Sequence, residues 1–212
     1  GIDLIGACIG HVCLDKVNIG SDIKPGNLVI GLASTGVHSN GLTLARKVLL
    51  GDSLDEQKSR VNDYEEFLGQ TLGEALLEPT RIYVQPIMEM LDKEIDLKAM
   101  VHITSGGFCN LNRVACDGIR FVIDRLQPVP EIFNLIQDRG GVSEAEMFEV
   151  FNMGTGFCLV VEGIKEVEAI SEICKAYDLP CQVIGQIEAS QDKEVCLPTK
   201  QLIGKGSKFK VS

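Results

Sequence analysis

One short segment constrains this chain most. Leu28-Val29-Ile30-Gly31-Leu32-Ala33 is a continuous apolar run between the turn signal Lys24-Pro25-Gly26 and the polar stretch Ser34 to Gly41. A run this short, bounded by turn residues, suits a strand buried on both faces. Behind the polar stretch, Leu42, Ala45, Val48 and Leu49 recur at helical spacing. The unit reads strand, polar glycine loop, helix. A strand buried on both faces requires packed layers above and below it.

The pattern recurs along the chain. Ala99 to Ile103 reads as a strand, Thr104-Ser105-Gly106-Gly107 as a loop and Phe108 to Val114 as a helix. Ile119 to Ile123 is a further strand, and Ile132, Phe133, Leu135 and Ile136 line a helix. Ser143 with Glu146 forms a capping box before a helix bearing Met147, Phe148 and Phe151. Asn152 to Gly156 is a third glycine loop, read as a tight turn before the strand Phe157 to Val161. Ile164, Val167, Ile170, Cys174 and Tyr177 trace a helix face, and Gln182–Ile187 and Glu194–Leu197 are the last strands. Thr80 is a plausible cap for a helix through Ile82, Ile87, Met90 and Leu91, with Pro86 marking a kink or a late start. Residues 51–70 are charged without a clear period and read as an exposed excursion, and 200–212 read as a flexible tail. Asp3 to Cys13 reads as a strand, with 1–15 a junction from a preceding domain and 16–199 the main domain. The fold class is α/β, or an α+β-like layered domain: a mixed β-sheet flanked by helices.

At 212 residues the chain is one to two domains long, taking a domain as ~150 residues. Twenty Lys and Arg against 30 Asp and Glu leave a net charge of −10, which argues against a partner bound by phosphate neutralisation such as duplex nucleic acid. No apolar run approaches the ~18 residues of a membrane helix, and no signal peptide is read at the N-terminus. The eight cysteines include no Cys-x-x-Cys pair, and several lie in apolar runs. Buried thiols in a reducing cytoplasm are expected.

The loop Gly36-Val37-His38-Ser39-Asn40-Gly41-Leu42-Thr43 approaches a nucleotide P-loop, but Leu42 stands where the phosphate-binding lysine belongs. A P-loop NTPase is therefore rejected. Backbone amides at a helix start, with Ser39 and Asn40 beside them, still suit an anion, and His38 adds a group able to charge near neutral pH. Alternatively the glycines serve the turn, Ser39 caps the helix and His38 is solvated. Thr104 to Gly107 is a second possible anion loop, with His102 before it read as a core or edge residue. Arg81 clamps an anion or pairs with a carboxylate. No Gly-x-Ser-x-Gly or His-Glu-x-x-His is present, so a serine hydrolase or a zincin is not supported.

In order, Asp3-Leu4-Ile5-Gly6, Gly31 to Gly41, Pro79-Thr80-Arg81-Ile82-Tyr83-Val84, His102 to Phe108, Gly140-Gly141-Val142-Ser143 and Met147 to Gly154 resemble phosphoribosylformylglycinamidine cyclo-ligase, or aminoimidazole ribonucleotide synthetase. The resemblance spans nearly the whole chain and implies the C-terminal domain of that superfamily. It implies ATP-dependent ring closure of formylglycinamidine ribonucleotide in purine biosynthesis, with ATP and Mg2+. ATP phosphorylates the formamide oxygen, a substrate nitrogen attacks the activated carbon, and phosphate leaves. The resemblance implies phosphate or substrate contact at Ser34, Gly36, Ser39, Asn40, Gly41, Arg81, Thr104, Ser105, Gly106 and Gly107, with His38 as the catalytic group. Asp3 matches a junction residue and is the one metal candidate. Two departures stand out: Ser105 replaces the first of three glycines, and Cys109 to Arg113 is shorter than the family form. The family's N-terminal domain supplies most of the nucleotide and metal site and forms a homodimer through a shared β-barrel. The chain is therefore expected to be inactive alone. The alternatives are a non-catalytic phospho-ligand module acting with a separate partner, a structural domain, or the related formylglycinamidine ribonucleotide synthetase.

Overall fold

The computed structural model describes residues 6–211. Ten strands and seven helices follow in chain order. They are β1 (Leu28–Ala33), α1 (Leu42–Leu50), α2 (Leu54–Arg60), β2 (Tyr64–Glu65), β3 (Gln70–Thr71), α3 (Leu72–Leu76), α4 (Val84–Asp92) and β4 (Leu97–His102), then β5 (Ile119–Ile123), α5 (Glu131–Gly140), α6 (Glu144–Val150), β6 (Thr155–Val161), α7 (Ile164–Ala176), β7 (Cys181–Ala189), β8 (Glu194–Leu197), β9 (Leu202–Lys205) and β10 (Lys208–Val211). Eight strands form one sheet in the order β10-β9-β8-β5-β7-β1-β6-β4. The β5–β8 pair is parallel and the others are antiparallel. The expected mixed sheet flanked by helices is what forms.

The sheet's centre explains the unbroken apolar runs. Successive strand side chains point to opposite faces. In β1, Val29 joins the core under α1, α3, α5 and α6, while Ile30 and Leu32 join the core under α4 and α7. In β6, Cys158 and Val160 take the first face, Leu159 and Val161 the second. Neither strand has a solvent side, so neither can alternate. Strand β5 does alternate, with Ile119, Phe121 and Ile123 buried. Gly31 lies where a Cβ would come within 2.8 Å of Ile184, which fixes the one interruption in the β1 run.

Several expectations need correction. Residues 6–13 form no strand and are exposed, while Asp3 lies outside the described residues. The end of the chain is no loose tail. Strands β9 and β10 pair as a hairpin, with Leu202 at 2% and Phe209 at 5% exposure. Its lysines hid this: Lys205, Lys208 and Lys210 point outward while Phe209 packs against Phe148, ring centroids 6.5 Å apart. Residues 51–70 are exposed but structured. Ser53 and Glu56 close a capping box on α2, and β2 pairs with β3. Helix α4 starts late, at Val84, so Pro86 falls in the first turn, where its missing N–H costs nothing, and Thr80 caps nothing. Residues Gly107–Arg113 coil as a 3-10 helix rather than an α-helix. Cys109, Cys158 and Cys174 are buried as expected, but Cys8 and Cys13 are exposed.

The hairpin is testable. Phe209→Ala should cost about 3–5 kcal/mol, as for a buried aromatic, seen as a lower urea midpoint. A freely fraying tail would leave the midpoint unmoved.

Candidate functional site

Strands β1 and β4 flank β6 and both run antiparallel to it, with Ala33 opposite Thr155 and His102 opposite Phe157. Both strands therefore end where β6 begins. The sheet's pairing alone gathers Ser34–Gly41, Thr104–Gly107 and the Asn152–Gly154 turn at one end.

Asn152 locks the first loop. Its Oδ1 accepts from Ser34 Oγ at 2.7 Å and from the Gly154 N–H at 2.9 Å. Its Nδ2 donates to the Gly36 carbonyl at 2.8 Å. Two further bonds tie the loop down: Thr35 Oγ1 donates to the Pro79 carbonyl at 2.7 Å, and Tyr83 Oη to the Ala33 carbonyl at 2.8 Å. The Ser34 hydroxyl proton is thus committed within the fold. Past these anchors, Ser39 is exposed and Asn40 is half-buried. Neither caps α1. The cap position is Gly41, at φ 78°, and no side chain bonds the first helical amides. A Cβ at Gly41 would lie 2.4 Å from the Phe151 ring, so packing and backbone both require glycine. The helix start therefore keeps amide donors that no side chain caps, at the positive end of the helix dipole.

His38 departs from expectation. It is 6% exposed, with φ at 60°. Burial, then His102 and Arg81, push its pKa down to about 4, so it is neutral at neutral pH. Its Nε2 accepts from the amides of Thr35 at 3.2 Å and Arg81 at 3.4 Å. The proton therefore sits on Nδ1, which is buried with no partner in the fold. The reading of His38 as a solvated or chargeable group is corrected: it is a neutral donor that also orders the backbone.

Arg81 donates from Nη1 to the Asp178 carbonyl at 3.0 Å, and its Nε is buried without a partner. It makes no ion pair among the described residues, so the carboxylate-pair alternative fails. In the second loop, Asn110 Nδ2 bonds the His102 carbonyl and Thr104 Oγ1, both at 3.2 Å, and Arg113 donates to the Ser105 carbonyl at 3.3 Å. Ser105 is exposed. Gly106 and Gly107 have φ of 98° and 54°, and a Cβ on Gly107 would lie 1.8 Å from the Phe148 carbonyl oxygen. Packing on α6 therefore accounts for that glycine. Asn18, Met100, His102, Thr104, Asn110 and Arg113 help line a cavity of about 640 Å³, a size suited to a small ligand. His102 ends the border strand β4 and is exposed, so of the two expected places it takes the edge and not the core, with its ring against Tyr83 and Phe157 at 5.9 and 5.6 Å. Sequence reasoning passed over Asn152, Asn110 and Arg113 as site residues. The signal for Asn152 was an amide side chain just before a glycine turn.

Residues 24–197 match the family model described as "AIR synthase related protein, C-terminal domain". The chain belongs to this family. Curated relatives named phosphoribosylformylglycinamidine cyclo-ligase include one from Methanococcus maripaludis, 44% identical over 190 residues, covering 90% of this chain and 52% of the relative. Others are from Methanocaldococcus jannaschii, 44% identical over 88% of this chain and 52% of the relative, and Carboxydothermus hydrogenoformans, 41% identical over 91% and 55%. The AIR synthase-related chain thus spans about half the length of the curated relatives it matches. Among solved structures, T. maritima PurL complexed with FGAR aligns at TM-score 0.51 and 12% identity, over 88% of this chain and 28% of that one, a likeness of fold.

His38 gives a pH prediction. Its folded pKa lies below the ordinary 6.5, so the unfolded chain takes up the proton first as pH falls. Stability from this group is intact above pH 6.5 and is lost as pH drops toward 4. The loss should reach up to about 3 kcal/mol. Urea unfolding of wild type across this range should show the slope, and His38→Asn, which tolerates the positive φ, should lack that share of it. Separately, Asn152→Ala leaves buried groups unsatisfied and should cost about 2–3 kcal/mol, with faster amide exchange at residues 34–38.

Proposed function

We propose that this chain is the C-terminal half of an ATP-dependent cyclo-ligase that closes formylglycinamidine ribonucleotide to aminoimidazole ribonucleotide in purine biosynthesis, in the cytoplasm. The names of relatives at 41–44% identity support the reaction. The observation that carries the site is the uncapped start of α1, beside exposed Ser39 and half-buried Asn40.

In this reading the α1 amides, Ser39, Asn40 and Gly41 hold a phosphate, and Arg81 supplies the nearby positive charge. The neutral Nδ1–H of His38 donates to an oxygen of the substrate where charge develops. Thr104, Ser105 and Gly106 border the second contact. Ser34, Gly36 and Gly107 support the loops rather than touch ligand. Holding the two ends of one molecule together favours an intramolecular ring closure. ATP makes the formamide oxygen a leaving group. Among the described residues no three His, Cys, Asp or Glu side chains converge to hold a metal ion. Mg2+ is commonly held by one or two carboxylates and the phosphates of the nucleotide rather than by a protein cage, and none of these residues' roles depends on it.

The N-terminal half of the relatives would cover exposed apolar side chains on and before α4. Ile82 is 76% and Val84 66% exposed. Met88 continues that helical face. Full-length protein would dimerise through that other half.

Calorimetry on this chain with formylglycinamidine ribonucleotide tests the site. Arg81→Ala and Asn40→Ala should each weaken binding about tenfold or more, the worth of a charge-assisted or ligand hydrogen bond. Unchanged affinity in both variants overturns the assignment. ATP-dependent cyclisation should occur only when the N-terminal half is supplied. Turnover by the chain alone would overturn the half-enzyme reading.

A further inference from the structure

The cavity of about 640 Å³ beside the second loop lies between β4 and the Gly107–Arg113 turn. Of the residues that line it, only His102 and Arg113 ionise. A guanidinium stays charged, so His102 is the one group on that wall able to accept a proton at neutral pH. The other histidine of the site is already committed: His38 accepts two backbone amides at Nε2 and carries its proton on a buried Nδ1. It can donate but has no free nitrogen with which to accept. We propose that His102 is the general base of the ring closure, taking the proton that the attacking substrate nitrogen must lose. This inference rests on the cyclo-ligase reading and deepens it.

The fold holds this imidazole in place without using its nitrogens. His102 ends β4 opposite Phe157, whose ring centroid lies 5.6 Å away, and the Tyr83 ring stands edge-on at 5.9 Å. Tyr83 is itself buried and tied through Oη to the Ala33 carbonyl. On the backbone, Asn110 Nδ2 donates to the His102 carbonyl, and the Ile103 N–H donates to the Gly156 carbonyl at 2.9 Å. Among the described residues no group bonds either ring nitrogen of His102. Both nitrogens therefore remain for a ligand in the cavity. The Tyr83 ring also lies 6.4 Å from that of His38, so one buried ring spaces the donor imidazole from the acceptor imidazole.

Ring closure joins the substrate nitrogen to the formyl carbon and breaks the bond from that carbon to the phosphorylated oxygen. The electron pair of the broken bond leaves with phosphate, and the nitrogen releases one proton, which His102 takes up. A general base works best with a pKa near the operating pH. Partial burial lowers the pKa of His102 from 6.5, so its ring is neutral at pH 7. The titratable groups around it are Arg113 on the turn, Tyr83 before α4 and His38 on the first loop, which Arg81 in turn influences. Strand β6 offers it only Phe157, and the segment before β1 only Asn18 and Ile19. No carboxylate among these holds a proton on the imidazole.

The test uses this chain supplied with the N-terminal half of its relatives, formylglycinamidine ribonucleotide and ATP. Protonated imidazole cannot accept, so wild-type kcat should fall as pH drops through the His102 pKa, below 6.5. His102→Gln should lower kcat about 10²- to 10⁴-fold. Its KM should stay within about twofold, the split left by a group that acts only in the transition state. His102→Ala should lose activity likewise, and imidazole added to the buffer should restore it about tenfold or more. A side chain that merely walls the cavity would give neither the acid limb nor the rescue. Unchanged kcat in His102→Gln, or no rescue of His102→Ala, overturns the role of His102 and leaves the cyclo-ligase reading standing. A wild-type kcat that stays level below pH 6.5 overturns it without any variant. Absence of turnover by the wild type with its N-terminal half overturns the reading, and this proposal with it.

Discussion

The site depends on one buried side chain. Asn152, 4% exposed, satisfies both ends of its amide against Ser34, Gly36 and the Gly154 amide. A loop leaving a buried strand must find partners for its backbone groups once the sheet no longer supplies them. Asn152 supplies them from the start of the neighbouring strand. The loop is thus fixed at its base and open at its tip, where Ser39 and Asn40 sit. Rigid support under a short exposed segment is what a binding loop needs if it is to meet a ligand without first being ordered.

His38 follows from the same arrangement. Its imidazole sits inside the loop, accepting from the Thr35 and Arg81 amides. One side chain therefore joins the loop after β1 to the segment before α4. The cost is a buried Nδ1–H with no partner in the fold. Groups left so are uncommon in native proteins and concentrate where a ligand or a mechanism uses them. Neutrality is part of that use, since a charged imidazole could not accept at Nε2.

Much of the fold was legible from the residues. The apolar runs of β1, β5 and β8 mark their own ends, because turn residues or charges flank them. The loops 34–41 and 104–107 were legible as loops, and their glycines flagged them. Their meeting at one end was not, since it comes from β6 lying between β1 and β4, a pairing of residues far apart in sequence. The β9–β10 hairpin was hidden because its lysines dominate its composition while Leu202 and Phe209 do the packing. The charge state of His38 was hidden for a related reason. A histidine beside serine and asparagine reads as solvated, and only the fold shows it enclosed.

The sheet's two borders are unlike. Strand β10 presents Lys208 and Lys210 along its outer side, charges that discourage a further chain from adding there. Strand β4, at the opposite border, has no strand beside it among the described residues, and of its six residues only Lys98 carries a permanent charge. Strand addition is thus discouraged by charge at the β10 border, whereas at the β4 border the Asn18 amide already occupies the Leu97 carbonyl and the remaining edge forms a wall of the ligand-sized cavity.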